Sequence, residues 1–164
     1  MEIRHSEAND IAAIRALYAQ PSVYANTLQL PWPSLELWQA RLARLHTHFH
    51  SLVMVEQGRL LGQIGIEQFE NPRRRHAANI GLAVDEDARG RGVGRALVEA
   101  AVELCFGWLD VRRIELEVYT DNVPAQALFT RCGFEREGTA RGYALRAGEH
   151  VDVHLMARHK PLAQ

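Results

Sequence analysis

Three glycines alternate with arginines in Arg89-Gly90-Arg91-Gly92-Val93-Gly94-Arg95, directly before a run of helical periodicity. Glycines at 90, 92 and 94 strip the loop of side chains, so backbone N–H groups can converge on a ligand, and the helix behind adds the positive end of its dipole. That chemistry suits an anion. Phosphate is the natural guest, and arginine is fitted to bidentate contacts with it. Taken alone, the stretch is equally compatible with a solvated turn. It is not the dinucleotide fingerprint, whose third glycine falls where Arg95 stands, and no GxxxxGK[ST] loop occurs. Two histidine patterns have metal-ligand types: His46, His48 and His50 near a helix end, and His150, Asp152 and His154 along one strand face. Alternating polar residues on an open strand face are routine and the first set straddles a helix end, so no metal is expected.

Hydrophobic spacing predicts the elements that hold the loop. A short strand at 2–4 precedes a helix with Ile11, Ile14, Leu17 and Tyr18 on one face, closed by Pro21. The proline-bounded loop "PSVYANTLQLPWP" leads to a second helix with Leu35, Trp38, Leu42 and Leu45 inward and Ser34 as its N-cap. A hairpin turns at Gln57-Gly58, and the strand "AANIGLAVD" runs into the glycine loop. The helix over 93–108 shows Val93, Leu97, Ala100, Leu104 and Trp108 along one face. In "RRIELEVYT", Ile114, Leu116 and Val118 alternate with Glu115, Glu117 and Tyr119, as in a half-buried strand. Asn122 caps the next helix, with Pro124 in its first turn and Gly133 past its end. Strands at 134–137, 143–146 and 149–157 finish the chain, the last two joined at Ala147-Gly148. The class is α+β with a mixed, mostly antiparallel sheet.

The 164 residues suit a single domain, 1–164, and 47% hydrophobic composition excludes disorder. A net charge of −1 provides no field for nucleic acid or an anionic membrane. No segment approaches the roughly 20 apolar residues of a span, and no signal peptide opens the chain, so a cytoplasmic location is expected. Cys105 and Cys132, far apart and outside any CxxC spacing, are expected as reduced core residues.

The loop, set between "GLAVD" and a helix, resembles the Q/R-x-x-G-x-G/A pyrophosphate loop of the GNAT superfamily of acetyl-CoA-dependent N-acetyltransferases. "DNVPAQALFTRCGF" is similar to that family's N-x-x-A-x-x-L-[FY]-x-x-x-G-F block, with Asn122, Ala125, Leu128, Phe129, Gly133 and Phe134 in register. The two blocks stand at the family's usual separation. "AQPSVYANTLQLPWPS", "NPRRRHAANIGLAVD" and "GYALRAGEHVDVHLMAR" further resemble YhhY-type bacterial members, which are associated with small amines such as amino acids.

The resemblance implies a GNAT fold: a twisted sheet of about seven strands flanked by about four helices, splayed at the cofactor site. It implies acetyl-CoA as co-substrate, with Leu82, Ala83 and Val84 pairing with the pantetheine arm. Arg89, Gly90, Arg91, Gly92, Val93, Gly94 and Arg95 would hold the pyrophosphate, and Asn122 would reach the arm from the other side, beside Phe129. It further implies transfer to the primary amine of a small molecule by direct attack. A peptide N-terminus or lysine as acceptor, or an acyl-CoA-binding module without turnover, are the alternatives. Many members have tyrosine where Phe129 stands, and phenylalanine has no proton for the departing thiolate, which leaves Tyr119 and Tyr143 as substitutes. Glu67 and His76 are the candidate bases. Tyr24, Leu28 and Trp32 are expected at the acceptor pocket, and a homodimer is compatible with the fold.

Overall fold

A computed structural model describes residues 1–44 and 47–163. Among the described residues seven strands join one sheet: β1 (Glu2–His5), β2 (Phe49–Glu56), β3 (Arg59–Gln68), β4 (Ala77–Val84), β5 (Arg113–Tyr119), β6 (Glu135–Arg146) and β7 (Glu149–His159). Their spatial order is β1-β2-β3-β4-β5-β7-β6, and every neighbouring pair is antiparallel except β4 and β5. The helices are α1 (Ile11–Tyr18), α2 (Pro21–Tyr24), α3 (Leu35–Leu42), α4 (Val93–Trp108) and α5 (Val123–Arg131).

Strand alternation divides the molecule into two cores. Ile64 and Ile66 of β3, Ala78 and Ile80 of β4 and Ile114, Leu116 and Val118 of β5 face α4 and α5. On the opposite face α1, α2 and α3 bury Ile14, Leu17, Tyr18, Val23, Trp38 and Leu42 against Val53 and Ala83. Ser34 caps α3 by accepting from the Leu37 N–H at 3.0 Å. The Gln57-Gly58 turn has φ of 50° and 77°, and the second of these is where glycine relieves strain.

Several local expectations shift. Pro21 does not close the first helix; it opens the one-turn α2, because a missing N–H is harmless at a first helical position. The buried stripe of α4 is Val93, Leu97, Val98, Ala101, Val102 and Cys105, while Ala100 and Leu104 flank it and Trp108 is 79% exposed. A helix lying flat on a sheet buries both adjacent rows, so the stripe is wider than one row predicts. The two strands expected at 134–137 and 143–146 are one strand, β6, interrupted between Ala140 and Ala144, where the Gly142 N–H bonds the Asp152 carboxylate at 2.8 Å. Leu45 lies outside the described residues.

Candidate active site

The centre of the sheet is split. β4 and β5 pair only through Ala77↔Arg113, Ala78↔Ile114 and Asn79↔Glu115. Beyond that point β4 stays bonded to β3 as far as Val84, and β5 to β7 as far as Tyr119, so each strand is held from its outer side while the inner edges part. Backbone donors and acceptors left along such edges need partners, and an extended ligand can supply them as an added strand would. A cleft of about 940 Å³ opens there, lined by Leu82, Ala83 and Val84 on one side and Glu117, Val118 and Tyr119 on the other.

At its upper end the glycine loop meets α4. Gly90 and Gly92 have φ of +73° and +83°, the left-handed region, and no described side chain caps α4, whose N-cap is Gly92. The first amides of a sixteen-residue helix therefore face the cleft uncapped, which is the physical basis of an anion site. Gly94 serves a different need: a Cβ there would stand 3.1 Å from Leu128 and 3.5 Å from Leu82 and Val84, so its absence lets α4 seat against β4 and α5. The arginines divide. Arg89, bonded to the Ser22 hydroxyl at 2.9 Å, and Arg95, paired with Glu99 at 2.8 Å, border the cleft; Arg91 turns away to Glu56 at 2.7 Å.

From α5, Asn122, Ala125, Leu128 and Phe129 form the facing wall. Asn122 caps the helix through its Oδ1, which accepts from the Ala125 N–H at 3.3 Å, leaving the side-chain amide for the cleft. Phe129 is buried edge-on to Phe134. Cys132 does not line the cleft; burial first raises its thiol pKa, so it holds its proton.

A polar centre sits where the strands part. The Asn79 side chain donates to both Glu117 oxygens, at 3.1 and 3.2 Å, and both residues line the cleft half-buried. Sequence reasoning missed this pair, because alternation assigned Glu117 merely to the polar side of its strand. Its discoverable signal was position: it stands two residues before Tyr119 at the end of the strand that must border any splay. Tyr119 lines the cleft, but its hydroxyl donates to the Thr27 carbonyl at 2.9 Å. Burial raises its pKa, against the Arg146 guanidinium 5.0 Å above the ring. Tyr143 lies at the exposed rim, outside the lining; burial and then the charges of Glu117 and Tyr119 raise its pKa.

The other candidates scatter. His76 is exposed at the paired end of β4, away from the cleft, where its carbonyl accepts from the Arg112 and Arg113 amides. Glu67 lines a side cavity of about 320 Å³, together with Arg41, Arg44 and Trp38. That cavity shares Tyr18, Gln29, Asn79 and Gly81 with the cleft. Leu28 reaches the cleft, whereas Tyr24 does not line it and Trp32 is 92% exposed. Among the described residues no three His, Cys, Asp or Glu side chains are placed to hold a metal ion. His154 instead contacts the Thr139 hydroxyl at 2.9 Å, and His46 lies outside the described residues.

Comparison with known proteins fits this geometry. The model of the acetyltransferase (GNAT) family matches residues 11–134. The L-amino acid N-acetyltransferase AaaT of Escherichia coli K12 is 48% identical over 158 residues, covering 96% of this chain and 97% of its own. A crystal structure of a ribosomal-protein-alanine N-acetyltransferase from Brucella melitensis superposes with a TM-score of 0.88 at 26% identity, covering 98% of this chain and all of that one. A phosphinothricin acetyltransferase from Sinorhizobium meliloti, crystallised in complex with AcCoA, shares the fold with a TM-score of 0.86 at 23% identity, over 96% of this chain and 87% of that one. A match of that extent, spanning the glycine loop and both parted strands, makes this chain a member of the GNAT acetyltransferase family, an N-acetyltransferase whose acyl donor is acetyl-CoA.

Proposed function

We propose that the chain acetylates the α-amine of a free amino acid by direct attack of the amine on the thioester. The observation that carries this reading is the Asn79–Glu117 pair at the parting of β4 and β5. An ammonium arriving there meets a carboxylate fixed through both oxygens, which can take its proton and free the lone pair. Glu117 thus replaces Glu67 and His76 as the base. Backbone N–H groups on the unpaired edge of β4 polarise the acyl carbonyl, and the amides of residues 90–95 hold the pyrophosphate. Leu82, Ala83 and Val84 pair with the pantetheine arm, and the Asn122 amide meets it from α5.

Phe129 cannot protonate the leaving sulfur, and the Tyr119 proton is committed to Thr27. A thiol of reference pKa about 8.5 is a tolerable leaving group near neutrality, so the thiolate takes its proton from solvent. The high identity to an L-amino acid acetyltransferase along nearly the whole chain supports the acceptor class. The acceptor is then a small solute, and a cytosolic location is in keeping with Cys105 and Cys132, free and buried. Pairing of two copies through the edge strands β1 and β6 belongs to the same proposal and is read from mass by light scattering.

Release of free coenzyme A from acetyl-CoA is measured against a panel of amino acids, polyamines, aminoglycosides and short peptides, with Gly92→Glu as the control that blocks the loop. Release with amino acids, lost in the control, is expected. Release with peptides alone assigns a protein N-terminus instead, and binding of acetyl-CoA without any release assigns a module without turnover.

A further inference from the structure

We infer that Arg41 binds the α-carboxylate of the acceptor, making the side cavity a recognition arm for amino acids. This rests on the amino-acid reading above and names the residue that selects for it. Three charged side chains line the arm: Arg41, Arg44 and Glu67. Arg44 and Glu67 are matched, at 3.4 Å. Arg41 is half-buried and forms no ion pair with a described residue, so the arm has one excess positive charge and suits a monoanion.

The guanidinium is also fixed in place. It lies 5.0 Å over the Trp38 ring and donates to the side-chain oxygen of Gln29. Trp38 is stacked on Tyr18 at 4.5 Å, and the Tyr18 hydroxyl donates to Gln63 at 2.6 Å, which in turn donates to Ser51 at 3.0 Å. A fork held by such a platform loses little freedom on binding, and only one described acceptor meets its five donors.

The arm and the cleft meet at Asn79 and Gly81. An α-amino acid has its amine and carboxylate on one carbon, so a carboxylate on Arg41 turns the amine toward Asn79 and Glu117. A diamine has no anion for Arg41 and brings a second cation toward it, which is discrimination by repulsion.

The test compares kcat/KM for the best amino acid of the panel with that for its own carboxamide and methyl ester. The wild-type enzyme is expected to prefer the free acid by about tenfold to a hundredfold, mainly through KM, as for a charge-assisted pair. The amide has the less basic amine and starts with an advantage, so proton supply cannot produce that preference. In Arg41→Gln the ratio is expected to fall to within about threefold, with Arg41→Lys between, since it keeps charge without the fork. Equal use of acid and amide by the wild type overturns the assignment of Arg41 while leaving the amino-acid reading intact. An unchanged ratio in a folded Arg41→Gln protein overturns it as well. Acetylation of neither acid nor amide, alongside activity on another amine, removes the amino-acid reading and this inference with it.

Discussion

Among single side chains, the proton balance rests on Glu117. Glu117→Gln is expected to lower kcat by about 10² to 10⁴ while acetyl-CoA still binds in a titration. The deficit should shrink as pH rises, because more of the amine then arrives already neutral. Asn79→Ala removes both hydrogen bonds that orient the carboxylate and is expected to cost about tenfold in kcat, read in steady-state assays at saturating acetyl-CoA. Tyr119→Phe separates a structural hydroxyl from an acid. Since that hydroxyl bonds Thr27, the change should cost about 1 kcal/mol of stability in a denaturant titration and leave kcat within about threefold. A larger loss of kcat would return Tyr119 to the acid role.

At the scale of elements, two glycines have separable duties. Gly62 of β3 lies under α4, where an added Cβ would stand 3.0 Å from the Ala83 carbonyl and from Leu97, and 3.1 Å from Val93. Backbone cannot yield cheaply, so Gly62→Ala is expected to destabilise by about 1–3 kcal/mol. At this chain length that is a melting-temperature drop of roughly 2–4 °C per kcal/mol, read by calorimetry. Gly92 has open space around it but a φ of +83°. Gly92→Ala therefore strains the loop by about 1–2 kcal/mol and should appear first as weaker acetyl-CoA binding, with the acceptor KM little changed.

The whole molecule responds to acid through its carboxylate–arginine pairs. Arg4 donates to both Asp10 oxygens, at 2.7 and 3.0 Å, and holds this carboxyl below its usual value against the effect of burial. Arg113 does the same for Glu137, and at Glu115 burial opposes but hydrogen bonds from Arg113 and Arg74 prevail. Each group is depressed on folding, so its contribution is complete above the unfolded pKa, about 4, and is lost as pH falls through the lower folded value. Melting temperature is expected to be flat from neutrality to about pH 5 and to fall below about pH 4. In Asp10→Asn that acid slope should be shallower, as read by circular dichroism.

Local patterns were enough for the parts of this protein whose physics is local. Gly58 announces a positive φ, Asn122 and Ser34 announce caps, and alternation in 113–119 puts Leu116 and Val118 on the face opposite Glu117; none of these needs a distant partner. The working centre is different. Asn79 and Glu117 are 38 residues apart, and Tyr119 and Thr27 are 92 apart. Asn79 and Glu117 meet because α4 carries the chain across the sheet to lay β5 beside β4, and Tyr119 meets Thr27 because the segment after α2 packs over the end of β5. The row of α4 that faces the sheet, the burial of Phe129 and the placing of Arg41 in the side cavity are set in the same way. Each depends on which surfaces pack together, and a one-dimensional period cannot specify that choice.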